Sequence, residues 1–133
     1  MQCLFCDIVR GNREASKVWE NDNFLVFLDV NPINAGHVLL IPKQHFDDVF
    51  SISDPLYGEL FETAKFVSNA LQKAVGSKRV GLAIEGFGIA HAHIHLVPVN
   101  QGNELNPLRA KPANQDELRK TQQILVNEFA RLN

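Results

Sequence analysis

The chain has 133 residues, 45% of them hydrophobic and 21% charged, with a formal net charge of −2. That size fits one domain around a single core, and the near-neutral charge argues against non-specific binding to nucleic acid or anionic membranes. No apolar run approaches the roughly 18 residues needed to span a bilayer, and the start, MQCLFCDIVRGNRE, lacks the basic head and apolar run of a signal peptide. Two cysteines are too few for a disulfide framework, so a cytoplasmic, reducing setting is expected.

KVWE (17–20) and FLVFLD (24–29) are apolar and aromatic runs separated by the turn signal NDN, which predicts a β-hairpin. NPINAG (31–36) is a loop by its Asn, Pro and Gly content, and HVLLIP (37–42) is a buried strand ended by Pro42. A long helix is expected next. Asp54 can cap it and Pro55 suits its first position; Leu56, Leu60, Ala64, Val67, Leu71 and Val75 keep helical spacing, and Gly76 can stop it. RVGLAIEG (79–86) and AHAHIHLVPV (90–99) are strands joined by a short glycine-bearing loop, and 114–132 forms an amphipathic C-terminal helix. With no repeat or linker, the expectation is one domain over 1–133. Its fold class is α+β, with a mostly antiparallel sheet, one long central helix and a C-terminal helix.

Three of the five histidines stand at two-residue intervals: His91, His93 and His95. On a strand, alternate side chains share a face, so the three imidazoles line one side, attached about 6.6 Å apart. Ala92, Ile94 and Leu96 line the other side and can pack into the core. A chance polar face would more usually mix Lys, Glu, Thr and Ser. All three imidazoles could bind one metal ion, or the set could be divided between a metal and catalysis.

The cysteines favour division. CLFC (3–6) has the spacing of a zinc half-site, and a closed structural site needs four ligands. With no further cysteine, two histidines must complete it, and His45 and His91 are the candidates. A redox C-x-x-C pair usually follows a strand and opens a helix, and two unlinked apolar cysteines are the plainest reading. Division leaves His93, His95 and His37 for chemistry, since neutral imidazole can act as base, acid or nucleophile.

HAHIHLVP resembles the histidine triad (HIT) signature, His-φ-His-φ-His-φ-φ with φ hydrophobic. CLFCDIVRGN, VFLDVNPINAGHVLLIPKQH and RVGLAIEG each resemble the corresponding blocks of bacterial Hint-like proteins, in the same order. The likeness covers residues 3–99 and, more loosely, the C-terminal helix. It implies a HIT-like fold and a homodimer. It also implies a hydrolase that cleaves the α-phosphate bond of purine nucleoside phosphoramidates, or related AMP-like nucleotides, through a nucleotidyl-histidine intermediate. His93 would be the nucleophile, His95 would contact the α-phosphate and His37 would support the phosphate pocket. Cys3, Cys6, His45 and His91 would hold a structural zinc. Asp29 would accept hydrogen bonds from the ribose, with a turn residue before Asn-Pro as its plainer reading. Phe5, Ile8, Phe27, Leu28 and Val30 would form the base pocket, or simply core.

One stretch departs from the family pattern. Many Hint-like members place Gly-Gln-Ser/Thr-Val before the triad, whereas this chain has GFGIAH, with Phe87 and Gly88 in place of the Gln and the hydroxyl. Backbone N–H groups around Gly88 are expected to substitute. The departure keeps two alternatives open: a dinucleoside polyphosphate hydrolase, and a nucleotide-binding interaction protein with little turnover.

Overall fold

Strands β2 (Phe24–Leu28) and β3 (Val38–Pro42) are buried at every position, because both faces of the sheet are covered there. In the computed structural model, which describes residues 2–132, alternate residues divide between two apolar clusters, as the two-residue period of a strand requires. Phe24, Val26, Leu28, Val38 and Leu40 face one cluster, and Leu25, Phe27, Leu39 and Ile41 face the other. With β1 (Lys17–Glu20), β4 (Arg79–Ala83) and β5 (Ile94–Val99), they form a five-stranded antiparallel sheet of order β1-β2-β3-β5-β4.

The first cluster is roofed by α2 (Leu56–Val75) through Leu60, Ala64, Val67 and Leu71, and by α3 (Gln115–Leu132) through Leu118, Leu125 and Phe129. Gly76 ends α2 in the left-handed conformation, its N–H donating to the Gln72 carbonyl. Asp54 does not cap the start. Pro55 holds the cap position with helical dihedrals, and the Ser53 carbonyl takes the Tyr57 N–H. Gly36 (φ +91°) turns the chain from β2 into β3, and a Cβ there would lie 2.9 Å from Val75 Cγ2. No helix among the described residues is long and apolar enough to cross a membrane.

The second cluster is covered by α1 (Leu4–Arg10), a short helix not anticipated from the sequence. Its cap is Cys3, whose sulfur accepts the Cys6 N–H at 3.2 Å, and Gly11 ends it at φ +82°. A C-x-x-C pair at the cap and third position of a helix places both thiols at one end, facing one point. The fourth and fifth strands are shorter than expected, with β4 ending at Ala83 and β5 starting only at Ile94.

Candidate functional site

The β5 register brings the histidines together. His95 lies opposite Leu39 of β3 and Ala83 of β4, so His37, two residues before Leu39, is its diagonal neighbour on the same face. His91 and His93 precede the strand, yet the alternation holds: Ala92, Ile94 and Leu96 enter the core under α2. The three imidazoles point to the α1 side, where the Phe5 ring packs edge-on against both His91 and His93.

Each imidazole has its protons assigned by its partners. A carbonyl can only accept, so His93, with Nδ1 at 2.7 Å from the His91 carbonyl, carries its proton on Nδ1 and leaves the Nε2 lone pair free. His91 is turned the other way round. Its Nε2–H donates to the Pro42 carbonyl at 2.8 Å, which frees Nδ1. The Ile33 N–H donates to His37 Nδ1 at 3.0 Å, so the His37 proton sits on Nε2 and is donated to His95 Nδ1 at 2.9 Å. His95 therefore presents an N–H at Nε2. Burial pushes His37 down to about 4, despite the opposing pull of Asp29, and lowers His91 and His95 as well. Those three rings are thus neutral near pH 7, where the tautomer assignment applies.

Asp29 joins this chain from the end of β2. One of its oxygens accepts the Asn31 N–H at 2.8 Å, and the other lies 3.5 Å from His37 Nε2. Asp29, His37 and His95 are close enough to hold a metal ion, but the two facing imidazole nitrogens are already joined to each other by a hydrogen bond.

A second cluster is of another kind. Ligand atoms of Cys3, Cys6, His45 and His91 all lie within 4.8 Å of one another. His91 Nδ1 is 3.4 Å from each sulfur, and His45 Nδ1 is 3.3 Å from that of Cys6. A tetrahedral zinc with Zn–S near 2.3 Å and Zn–N near 2.0 Å has ligand–ligand edges of roughly 3.3–3.8 Å, so the donor set fits. The Pro42 carbonyl turns the correct nitrogen of His91 toward the centre, the outer-shell contact that metal-binding histidines normally show. The Ala92 N–H donates to the Phe46 carbonyl at 2.7 Å, which ties the His45 loop to the triad segment. Burial, with the neighbouring Cys3 sulfur, pushes the Cys6 thiol up to about 11, so without a metal it stays protonated.

A cavity of about 420 Å³ opens onto His93 and His95, within the usual range for small-molecule sites. Phe5, Ile8, Phe27, Asp29, Val30 and Gly88, all expected there, line it. Leu28 borders it while its side chain packs in the α2 core. His37 stands behind His95, in an adjoining cavity of about 250 Å³. Sequence reasoning missed Leu4, Arg13, Glu14, Ala15, Leu39, Phe87 and Ile89 as lining residues; Leu39 carries a signal, its place two residues from His37 on an apolar strand. A larger cavity, of about 920 Å³, lies at the far end of β4 and β5 between Lys78, Arg79 and the 99–106 loop, and no histidine reaches it.

Adenylylsulfatase HINT3 of Arabidopsis thaliana is 36% identical over 101 residues, 72% of this chain, which spans about half (51%) of that protein. Among solved structures, a hypothetical histidine triad nucleotide-binding protein from Sulfolobus tokodaii superposes with a TM-score of 0.87 at 27% identity, covering 98% of this chain and 93% of that one. A Zn-bound histidine triad family protein from Mycobacterium smegmatis gives 0.83 at 27% identity, over 99% and 96%. The sequence model of the HIT domain matches residues 10–102, from the last residue of α1 past the end of β5. With that match over most of the chain and the sheet and helices of those structures, this chain belongs to the HIT family.

Proposed function

We propose that the protein hydrolyses the α-phosphate bond of purine nucleoside phosphoramidates, or of related AMP-like nucleotides, through a nucleotidyl-histidine intermediate. The observation that carries this reading is the Nδ1–H of His93 held by the His91 carbonyl at 2.7 Å, which leaves an Nε2 lone pair beside the cavity. His93 Nε2 forms a bond to phosphorus as the P–N bond breaks, and the amine leaves with that electron pair and a proton from solvent. Water then adds to phosphorus, gives a proton to solvent, and Nε2 departs with its own pair. Splitting one displacement into two easier ones is what a covalent nucleophile provides. The Nε2–H of His95, oriented by His37, donates to the phosphoryl oxygens as their charge grows. Phe5, Ile8 and Phe27 receive the base, and Asp29 accepts from the ribose hydroxyls.

The names of two similar proteins support the nucleotide, one an adenylylsulfatase and the other a nucleotide-binding protein. Cys3, Cys6, His45 and His91 would hold a zinc ion, as the Zn-bound relative suggests. Bound there, the metal would fix α1, and with it Phe5, against the triad segment. A nucleotide-binding protein of low turnover is the second reading. It is favoured by Phe87 and Gly88, which offer a leaving group neither amide nor hydroxyl side chain.

The deciding experiment is AMP release from adenosine 5′-phosphoramidate by wild-type protein and His93→Ala. Release by the first and none by the second supports the hydrolase. Release by neither, with AMP bound by both, supports the binding protein.

A further inference from the structure

Where a leaving group would sit depends on what surrounds the triad outside the nucleoside cavity. Two more cavities open there. One, of about 400 Å³, touches His93 and is lined by Asp48, Phe50 and Glu85 among others. The other, of about 250 Å³, touches His95 and is lined by Asp29, Asn31, His37, Glu85 and apolar residues. Asp48 and Glu85 supply carboxylates to the first and Asp29 and Glu85 to the second, and no Lys or Arg lines either. Glu85 belongs to both, so a leaving group directed either way meets it.

Residues 84–90, IEGFGIA, contain Glu85 as their only polar side chain. This is the segment that precedes the triad, and Phe87 and Gly88 within it supply no polar side-chain atoms. Neither Glu85 nor Asp48 takes part in an ion pair among the described residues. Asp48 uses one oxygen to accept the Phe50 and Ser51 N–H groups, which leaves its other oxygen uncommitted. Phe50, 71% exposed, adds an aromatic face of the kind that attracts cations. His93, which lines the first of these cavities as well as the nucleoside cavity, is only 6% exposed, and its Nε2 has no hydrogen-bond partner among the described residues.

We propose that these two acidic cavities form a leaving-group subsite, and that it takes amines bearing a second, cationic group in preference to neutral or anionic leaving groups. The inference rests on the hydrolase reading of the triad and narrows its substrate. A pendant ammonium on the departing amine would pair with Glu85, and with Asp48 when directed past His93. A sulfate or polyphosphate would meet the same carboxylates as like charges. The nucleoside cavity is mixed in charge, with Arg13 beside Glu14 and Asp29, whereas the other two hold no Lys or Arg.

The test compares adenosine 5′-phosphoramidates of 1,5-diaminopentane and of pentylamine, which differ at the chain end in one ammonium group, with adenylyl sulfate as the anionic case. Each is assayed with wild type, Glu85→Gln and Glu85→Gln/Asp48→Asn; Asn keeps an oxygen for the cap. For wild type, kcat/KM should be about fivefold higher for the diamine adduct, the scale of a solvent-exposed ion pair, with adenylyl sulfate slowest. The preference should shrink as salt is added and fall to near unity in the double variant. Equal rates in the wild type, or a preference that survives both substitutions, would overturn the subsite while leaving the hydrolase intact. Hydrolysis of neither phosphoramidate by the wild type would remove the hydrolase reading, and the subsite with it.

Discussion

A neutral imidazole has one donor and one acceptor nitrogen, and its neighbours decide which is which. Three rings at two-residue spacing thereby acquire three different tasks. His91 offers Nδ1 to the cysteine cluster and His93 offers Nε2 to the cavity, while His95 offers an N–H. His37 holds Nδ1 of His95, so on the proposed mechanism its role would be positioning. His95→Ala removes the donor and is expected to lower the rate of a single turnover by roughly 10²–10³, as loss of one oxyanion donor does. His37→Phe removes only the partner of Nδ1 and should cost less, about tenfold, by letting His95 choose the wrong tautomer. In His37→Gln an amide N–H can still donate to that nitrogen, and much of the rate should return. Equal losses in the Phe and Gln variants, measured alongside AMP affinity, would show that His37 acts by packing alone.

At the scale of the element, α1 decides how the cysteines act, and it is the element that sequence reading did not find. Seven residues are too few for a helical period to stand out, and its cap is a thiol, which lies outside the usual capping residues. The long apolar strands were legible because β2 and β3 are buried on both faces. The ends of β4 and β5 were not, because glycine and histidine between 84 and 93 carry no marker of where pairing stops. Asp54 matches a capping rule that the Ser53 carbonyl satisfies instead. Of the site, ligand count and spacing grouped Cys3, Cys6, His45 and His91, which the fold brings together. Separate roles for His93, His95 and His37 came only from the family resemblance, and the places of Phe87 and Glu85 were not legible. Their meaning lies in what the loop places beside the triad. Since α1 holds Cys6, follows Cys3 and carries Phe5, metal binding and the nucleoside cavity should be coupled. Cys6→Ser is expected to lower zinc from about one per chain to near none by elemental analysis, with a lower Tm. It should also weaken AMP binding, because Phe5 loses its anchor. Full zinc content in that variant would remove the cluster as the metal site.

For the whole molecule, the buried histidines carry a cost that depends on pH. His37 is 2% exposed, and burial pushes it down to about 4 from an ordinary value near 6.5. The sign follows from proton counts: between pH 6.5 and 4 the unfolded chain binds a proton at this residue that the folded protein refuses. Stability therefore rises with pH across that window and is lost as pH falls through it. At pH 4 the loss from His37 alone is about 3 kcal/mol, a large part of the 5–15 kcal/mol typical of a folded domain. His91 and His95, lowered by the same cause, act in the same direction. Urea unfolding at intervals from pH 7.5 to 4.5 should show a steeper fall for wild type than for His37→Gln, whose side chain has no proton to gain. The two curves should differ in slope only below about pH 6.5 and run parallel above it. Parallel curves throughout would mean that His37 gains its proton in the folded protein as readily as in the unfolded chain. The ring would then be charged in mildly acidic solution, and His95 would lose the fixed tautomer that its donor role requires.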